Sequence, residues 1–297
     1  MISDGCGRCL GLRSISSRTL VYGLIGDPVN HSISPIIQNT AFCHVGFDAV
    51  YVTFEVKKQF LESAVAGVIA LGVRGFNVTI PHKIRIMRYI DSFDREALKI
   101  GSVNTVVNSR GSLTGFNTDG RGALQSVGME GLKGSSVLLL GAGGAARAIA
   151  HTFAPEVRRI IIVNRTISNA RQLKRALNRR YRCEVLSVQL NQRRLRELVD
   201  NSELIVNASS MGMNGRNDAP IKRGWLHANQ IVFDIVYTPP VTALLTNARR
   251  AGARTIDGME MLLNQGAISF NLWTGKNAPI TQMRRALTRI MTNYANS

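Results

Sequence analysis

The segment from residue 136 to residue 147 carries the clearest signal for binding a phosphate. It reads SVLLLGAGGAAR, so a hydrophobic strand runs directly into a glycine-rich turn and then into a helix. In the pattern G-x-G-x-x-[G/A], Gly141 permits the tight turn, Gly143 lets a pyrophosphate approach the backbone, and Ala146 lets helix and strand pack closely. The helix N-terminus then faces the negative charge. Because another strand follows about twenty residues later, a dinucleotide site is favoured over a merely tight strand–helix turn.

The end of that next strand indicates which dinucleotide is bound. Residues 160–163 are followed by Asn164, Arg165 and Thr166, at the place where a protein that prefers NAD usually carries an acid. A guanidinium offers planar, charged donors that match phosphate oxygens, so the pattern favours NADP and its 2′-phosphate. The alternative is that Arg165 is one more basic surface residue in an arginine-rich chain.

Two segments nearer the N-terminus carry polar residues suited to binding and protonating a substrate. The sequence HSISP leads into the first predicted helix, with Ser34 expected as its N-cap and Pro35 at its first position. The Ser32 and Ser34 hydroxyls could hold a carboxylate at the helix end, although capping alone also accounts for Ser34. The sequence GFNVTIPHK ends a predicted strand with Lys83, whose amine could deliver a proton.

Two further motifs place an amide and a carboxylate at the ends of predicted strands. SVNTV contains Asn104, and GFNTDG contains Asp119. Each motif alone is also explained by turn chemistry, since Asn, Asp, Thr and Gly favour turns. Their combination with the serine and lysine motifs is what indicates a site.

The elements that position these residues alternate short β-rich runs with amphipathic helical stretches, which is typical of parallel α/β folds. In the first half the predicted strands are 20–25, 51–55, 75–78 and 103–107, and the predicted helices are 35–45, 57–71 and 84–90. In the second half the predicted strands are 137–140, 160–163, 204–206 and a last one near 231–235. Helical patterns over 259–274 and 280–294 follow, and periodicity alone does not assign them to either half.

Length and composition limit the class of protein. A chain of 297 residues with 45% hydrophobic residues is expected to form two globular domains, and no apolar run approaches the ~20 residues of a membrane span. Its four cysteines give no disulfide framework, so a cytoplasmic location is expected. Residues 1–18 are interpreted as an N-terminal extension. Its Cys6 and Cys9 form a C-x-x-C that is either a redox or metal pair or an incidental pairing.

The formal net charge of +18 attracts anions, whether nucleic acid, membrane surface or small acidic metabolites. Many arginines lie between residues 158 and 196, where solvated helix faces explain them and no DNA or RNA recognition motif accompanies them. The five histidines show no metal-ligand spacing. We therefore expect a small-molecule substrate, no metal, no nucleic acid and no membrane as partners, and oligomeric state stays open, a homodimer included.

Taken in order, the motifs resemble the shikimate dehydrogenase family from about residue 22 to residue 274. Those that carry the resemblance are HSISP, FNVTIPHK, SVNT, NTDG, GAGGAAR, NRT, NASSMGM, DIVY and DGMEMLLNQG. The resemblance implies reversible, NADPH-dependent reduction of 3-dehydroshikimate to shikimate, in chorismate and aromatic amino-acid biosynthesis. It also implies a substrate domain over 19–120, an inserted Rossmann-type NADP domain over 121–254, and C-terminal helices over 255–297 that return to the substrate domain.

The resemblance also implies roles for individual residues. Lys83 and Asp119 form the catalytic pair, and which of them moves the proton stays open. The substrate is bound by Ser32, Ser34, Asn77, Thr79, Asn104, Tyr237 and Gln265. The cofactor is bound by Gly141, Ala142, Gly143, Gly144, Ala145, Asn164, Arg165, Thr166, Asn207, Ser209, Met211, Ile235 and Gly258.

Two other functions stay open at this point. A quinate or quinate/shikimate dehydrogenase that uses NAD would typically carry an acid near position 164 and a changed serine in the carboxylate pocket, and the sequence has neither. A non-catalytic dinucleotide-binding module is disfavoured by intact Lys83 and Asp119. The sequence departs from the family at Asn169, where many relatives have a second basic residue, so the strictness of the NADP preference is open.

Overall fold

The computed structural model describes residues 15–213, 219 and 221–295 of the chain. Cys6, Cys9 and most of the expected extension 1–18 lie outside the described residues. Two compact units are present: unit 1 falls within Met1–Thr118 and Gly266–Ser297, and unit 2 is Asp119–Gln265. None of the helices in the described part combines the length and apolar character that crossing a membrane requires.

Unit 1 contains a six-stranded mixed sheet. Its strands are β1 (Leu20–Gly26), β2 (Ala49–Glu55), β3 (Gly75–Val78), β4 (Ser92–Phe93), β5 (Thr105–Ser109) and β6 (Ser112–Phe116). The order across the sheet is β2-β1-β3-β5-β6-β4, and β5 runs antiparallel to both of its neighbours. Its helices are α1 (Ser34–His44), α2 (Leu61–Ala70), α3 (Arg95–Ile100) and α10 (Ile280–Ala295), with 3-10 helices at Lys58–Phe60 and Arg85–Tyr89.

The antiparallel hairpin of β5 and β6 corrects the sequence prediction in this unit. The strand predicted over 103–107 begins two residues later, and β4 and β6 were not predicted. Arg110 and Gly111 connect β5 to β6 with φ of 56° and 95°, the left-handed pair that a tight two-residue hairpin requires. An Arg-Gly pair is a weaker turn signal than Asn-Gly. The predicted helix 84–90 is wrong in type, since the segment forms the 3-10 helix Arg85–Tyr89.

Unit 2 contains a six-stranded, fully parallel sheet with the order β12-β11-β10-β7-β8-β9. Its strands are β7 (Ser136–Leu140), β8 (Arg159–Asn164), β9 (Glu184–Gln189), β10 (Leu204–Asn207), β11 (Ile231–Asp234) and β12 (Arg254–Ile256). Its helices are α4 (Asp119–Val127), α5 (Gly144–Phe153), α6 (Ile167–Asn178), α7 (Gln192–Asp200) and α8 (Ala243–Arg250), while α9 (Gly258–Thr274) contributes residues to both units. This is the doubly wound order of dinucleotide-binding folds, so the predicted α/β class with a Rossmann-type domain is confirmed.

The sequence of β7 explains why this sheet is covered on both faces. Val137 and Leu139 belong to one hydrophobic cluster, and Leu138 and Leu140 belong to another. Successive residues of a strand point to opposite faces, so a continuous apolar run predicts burial on both sides. On α6, by contrast, Ala170, Leu173 and Leu177 are buried while the arginines face solvent. The basic residues of this helix therefore form a solvated face.

Candidate functional site

The glycine-rich turn of unit 2 has the geometry that the motif predicts. Gly141, directly after β7, has φ +114°, and a Cβ there would lie 2.7 Å from the carbonyl oxygen of Ala208. Glycine is therefore required at 141 by the fold itself. Gly143 differs, because its φ of −80° suits any residue and a Cβ there would meet nothing within 4 Å. The fold does not need glycine at 143, but the close approach of a phosphate does.

Helix α5 begins at this turn and leaves its first turn open to an anion. Its N-cap is Gly143, which has no side chain, so no N-cap side chain accepts a hydrogen bond from the first amides of the helix, which belong to Gly144 and Ala145. Ala142 and Ala146 are buried below the turn and pack in the core. Uncapped N–H groups at a helix start are the standard partners of a pyrophosphate, so the residues present fit a dinucleotide.

The corner between β8 and α6 carries the residues predicted to select NADP. The Asn164 side chain donates to the carbonyl of Thr166 at 2.9 Å, which folds the corner. Arg165 and Thr166 are exposed, and Arg165 forms no ion pair with any of the described residues. Its guanidinium is available to a 2′-phosphate. Asn169 is also exposed, in the first turn of α6, and brings no charge.

Polar side chains meet at the ends of β10 and β11, where Asn207 is the register partner of Asp234. Asn207 Nδ2 and the Val236 N–H donate to Asp234 Oδ1 at 2.9 and 3.1 Å, and Thr242 Oγ1 donates to Oδ2 at 2.6 Å. Asp234 is fully buried. Burial raises the pKa of this carboxyl, and the hydrogen bonds from Thr242, Val236 and Asn207 oppose that rise. We call Asn207, Ser209, Asp234 and Thr242 the Asp234 cluster.

The Asp234 cluster includes residues that the sequence interpretation did not select. Asn207 and Ser209 were predicted at the cofactor, but Asp234 and Thr242 were not. The signal was present, since Asp234 begins the DIVY motif and falls within the strand predicted near 231–235. An acid at that place rarely stays buried without partners.

The remaining predicted residues of unit 2 lie near β11 and on α4 and α9. Gly258 packs directly against the carbonyl of Ile235, which brings these two predicted cofactor residues together. Asp119 is buried at the first residue of α4. A Cβ at Gly122 would lie 2.8 Å from Gln265 Cβ, so α4 and the middle of α9 pack closely. Tyr237 is half-buried, three residues beyond Asp234.

In unit 1 the start of α1 corrects the role given to Ser34. The N-cap position is Ile33, and Ser34 is already the first helical residue and makes no capping hydrogen bond. The hydroxyl of Ser32 instead accepts the N–H of Ser34 at 3.3 Å. The prediction of Ser34 as N-cap, with Pro35 first in the helix, is therefore wrong, because Ser32 reaches the helix start through a local turn. Capping does not account for the buried Ser34 hydroxyl.

A buried network of uncharged side chains lies at the ends of β3 and β5 in unit 1. We call it the neutral cluster, and its members are Tyr51, Asn77, Asn104, Thr105, Thr118 and Ser269. Asn104 Nδ2 donates to Thr118 Oγ1 at 2.9 Å, and Asn104 Oδ1 accepts the Thr118 N–H at 2.8 Å. The hydroxyls of Thr105 and Ser269 are 2.8 Å apart. Asn77 and Asn104, both predicted to bind substrate, are thus brought together.

The protein itself fixes the orientation of the Asn77 amide. Its Nδ2 lies within hydrogen-bonding distance of Asn104 O, Thr105 Oγ1 and Ser269 Oγ at 3.0 to 3.1 Å, and its Oδ1 accepts from the Tyr51 hydroxyl at 2.8 Å. Since an amide nitrogen has two hydrogens, the capacity that Asn77 retains is as an acceptor at Oδ1. Sequence reasoning missed Ser269, although a serine on the buried face of α9 was a usable signal.

Lys83 lies on a segment that is anchored to unit 1 at several points. The Thr79 N–H donates to Ile25 O at 2.9 Å, and the Val103 N–H donates to Lys83 O at 2.8 Å. His82 is fully buried, with Nε2 2.6 Å from Val56 O. The backbone that carries the half-buried Lys83 side chain is therefore held in place on both sides.

Comparisons with known proteins match both units. The family models for the shikimate dehydrogenase substrate binding domain, shikimate / quinate 5-dehydrogenase and the shikimate 5′-dehydrogenase C-terminal domain match residues 24–106, 123–262 and 258–288. The shikimate dehydrogenase (NADP+) of Methanopyrus kandleri is 42% identical over 280 residues, which are 92% of this chain and 97% of the relative.

Solved structures agree with these matches. A crystal structure of a shikimate dehydrogenase in complex with NADP+ is 38% identical, covers 93% of this chain and 97% of its own, and superposes with a TM-score of 0.85. The shikimate 5-dehydrogenase of Listeria monocytogenes, in complex with shikimate and NAD, is 35% identical, covers 92% and 98%, and has a TM-score of 0.83. Identity of this extent, through both the phosphate-loop unit and the unit that holds Lys83, means that the chain belongs to the shikimate dehydrogenase family.

Proposed function

We propose that the chain catalyses the reversible reduction of 3-dehydroshikimate to shikimate with NADPH. The observation that carries the cofactor part of the proposal is the phosphate loop, in which Gly143 faces open space ahead of an uncapped helix, followed at the next strand end by the available guanidinium of Arg165. The substrate part rests on membership of the shikimate dehydrogenase family. This pair of features fits a dinucleotide with a 2′-phosphate. The M. kandleri relative, named as NADP-dependent, supports the same cofactor.

NADPH supplies the hydride when it is bound, and the residues of unit 2 bind and orient it. The amides that start α5 take the pyrophosphate, and Arg165 takes the 2′-phosphate. The adenosine side is held by Gly141, Ala142, Gly143, Gly144, Ala145, Asn164, Arg165 and Thr166. The nicotinamide side is held by Asn207, Ser209, Met211, Ile235 and Gly258.

The substrate is a carbocyclic acid, so its site needs groups for one carboxylate and several hydroxyls. Ser32 and Ser34 hold the carboxylate, at the start of α1 where the helix dipole favours negative charge. Asn77 accepts a hydrogen bond from a ring hydroxyl through Oδ1, since its nitrogen is occupied within the neutral cluster. The other ring contacts come from Thr79, Asn104, Tyr237 and Gln265.

Lys83 and Asp119 form the catalytic pair. As an ammonium, Lys83 donates a proton to the C3 oxygen during reduction. As a neutral amine, it removes that proton during oxidation. The anchored segment around Lys83 supports this role, because a proton donor must be held near the oxygen that receives the proton.

Reduction of 3-dehydroshikimate to shikimate is a step of chorismate and aromatic amino-acid biosynthesis, and we propose the cytoplasm as its location. Family membership supports the pathway. The cysteine content of the sequence supports a reducing compartment.

Oxidation assays with the purified chain test the proposal. Shikimate and quinate are each offered with NADP and with NAD, and the absorbance of the reduced nicotinamide is followed. The proposal predicts the highest kcat/KM for shikimate with NADP. Activity that requires quinate or NAD would support the quinate dehydrogenase alternative, and absence of activity with all four combinations would support a non-catalytic binding module.

A further inference from the structure

We infer that Asp234 is a positioning residue for the loop that holds the nicotinamide side of the cofactor. The inference rests on the proposed function and extends it to a residue with no assigned role. It stands on the hydrogen bonds and burial of the Asp234 cluster within unit 2.

Asp234 lies where cofactors bind in this fold. Leu140, Asn207 and Asp234 are register partners at the carboxyl ends of β7, β10 and β11. In doubly wound sheets, ligands bind outside the carboxyl ends of the strands. The loop after Asn207 also touches the phosphate loop, since Ala208 O closes on Gly141. The cluster therefore lies next to the loop that the proposed function assigns to the dinucleotide.

The carboxylate is an unusual choice for a purely structural role. Asp234 is 0% exposed, and within residues 15–213, 219 and 221–295 no lysine, arginine or histidine forms an ion pair with it. Its partners are an amide, a backbone N–H and a hydroxyl. A buried charge without a countercharge costs free energy that a neutral side chain avoids. Such groups are more frequent at functional sites than elsewhere.

The carboxylate determines the direction of the hydrogen bonds around it, because every neighbour must act as the donor. An ionised carboxylate only accepts, so the Asn207 amide must turn its nitrogen toward Asp234. Asn207 Oδ1 then faces the next residues, where it accepts from the Ser209 N–H at 3.2 Å and from the Ser209 hydroxyl at 2.7 Å. Asn207 Nδ2 also reaches Met211 O at 3.0 Å. The loop from 207 to 211 is folded around one amide whose orientation Asp234 sets.

The Asp234 carboxylate also determines the orientation of the Thr242 hydroxyl, which has to donate to it. This hydroxyl has one hydrogen, which it gives to Asp234, so its lone pairs remain to accept the N–H of Leu245 at 3.3 Å and cap α8. Asparagine at 234 would keep the shape but present one donating end. That end would face either the Asn207 nitrogen or the Thr242 hydroxyl, and one of the two would have to turn.

The test uses Asp234→Asn together with a matched set on α8. Thr242→Val removes the donor to Asp234, and Thr242→Ser retains it. Thr246→Val removes a neighbouring hydroxyl that donates to the Thr242 carbonyl and not to Asp234. Each protein is titrated with NADPH and, separately, with 2′,5′-ADP, which carries the 2′-phosphate but no nicotinamide. Shikimate oxidation with NADP gives kcat and KM.

We expect Asp234→Asn and Thr242→Val to lower kcat by about 10- to 100-fold and to weaken NADPH binding relative to 2′,5′-ADP, because small displacements of a positioning loop cost this much. Thr242→Ser should recover most of both losses, and Thr246→Val should match the wild type. Equal weakening of NADPH and 2′,5′-ADP would overturn the inference in favour of a purely structural role, as would unchanged kcat and NADPH affinity. If Asp234→Asn does not fold, the inference is tested by the two Thr242 variants alone, through the loss in Thr242→Val and its recovery in Thr242→Ser.

Failure of the proposed function has a different signature. A wild type that binds NADPH and 2′,5′-ADP but does not oxidise shikimate contradicts the proposed reaction. The role of Asp234 is then tested by binding alone. A selective loss of NADPH affinity in the variants supports it, and an equal loss of NADPH and 2′,5′-ADP affinity overturns it.

Discussion

The neutral cluster of unit 1 and the Asp234 cluster of unit 2 both hold buried amides in one orientation, but with different chemistry. In the neutral cluster, the Asn77 nitrogen has three acceptors within reach for two hydrogens, and the surrounding hydroxyls can rotate. In the Asp234 cluster, each neighbour of the carboxylate has to donate. In the neutral cluster, one acceptor can therefore replace another. In the Asp234 cluster, all of these hydrogen bonds depend on one carboxylate.

This difference predicts how each cluster responds to substitution. Removing one hydroxyl from a redundant network costs about one net hydrogen bond, because its neighbours turn to other partners. Removing the centre of the Asp234 cluster leaves several buried donors without an acceptor at once. The neutral cluster can therefore rearrange its hydrogen bonds when one member or a substrate contact changes. The Asp234 cluster has no such alternative, because its geometry depends on the carboxylate.

The largest expected effect is on turnover, and it tests the catalytic residue of unit 1 against the positioning residue of unit 2. Lys83→Ala should lower kcat by about 10²–10⁴, the range for general acid–base groups, with a smaller change in KM for shikimate. Lys99→Ala is the control, since this half-buried lysine pairs with Glu96 on the surface of unit 1. Near-normal turnover in Lys83→Ala would contradict the assignment of Lys83 as the proton donor.

The second effect concerns stability. Asp234→Ala should lower the free energy of unfolding by about 2–4 kcal/mol, because three buried donors lose their acceptor while one buried charge is removed. Urea unfolding followed by circular dichroism measures it, with the exposed Asp200→Ala as control. A loss no larger than that of the control would show that the donors find other partners, and the contrast between the clusters would disappear.

Cofactor choice should show an effect of intermediate size. One charged hydrogen-bonding group at ~1.5–3 kcal/mol predicts that the wild type prefers NADP over NAD by roughly 10- to 150-fold in kcat/KM. Arg165→Ala should bring the two cofactors within several-fold of each other, mainly by weakening NADP. Arg171→Ala, which removes an exposed arginine on α6, is the matched control. A wild type that prefers NAD, or an Arg165→Ala protein that keeps the full preference, contradicts the role of Arg165.

A smaller effect tests the redundancy of the neutral cluster. Ser269→Ala should lower the free energy of unfolding by about 1 kcal/mol, because the Asn77 nitrogen keeps Asn104 O and Thr105 Oγ1 as acceptors. The same urea unfolding experiment measures it. A loss as large as that of Asp234→Ala would mean that the neutral cluster also depends on a single member.

The smallest effect is a pH dependence. Burial raises the pKa of Asp234 above its ordinary value of 3.8, so between these two values the folded state binds more protons than the unfolded state. Stability contributed by this group is therefore present at low pH and is lost as pH rises through the raised pKa. The wild type should lose stability relative to Asp234→Asn as pH increases over this window. A difference that stays constant or changes in the opposite direction would contradict the raised pKa.

The fold was largely predictable from the sequence where its signals are local. The strand before Gly141 is a continuous apolar run, and its glycines have positions that only one turn geometry uses, so the Rossmann-type unit followed directly. The hairpin of β5 and β6 was missed because Arg110 is a poor turn residue on propensity alone, and Ser34 was misplaced because helix starts depend on backbone angles that composition does not determine.

The site was predictable in part. Lys83 and Arg165 could be selected by type and position, whereas Asn77 was assigned to the substrate through the family resemblance. Residues that act through other residues were not selected, because the partners of Ser269, Tyr51 and Asp234 are brought near only by the fold. Polar residues on buried faces are the sequence signal that would have found them.

The central claim is that this chain converts 3-dehydroshikimate to shikimate at the expense of NADPH. The most direct measurement mixes the purified chain with both compounds, follows the loss of NADPH absorbance, and quantifies shikimate by chromatography in the same samples. The account predicts that shikimate appears in an amount equal to the NADPH consumed. NADPH that is not consumed, or that is consumed without the formation of shikimate, would contradict it.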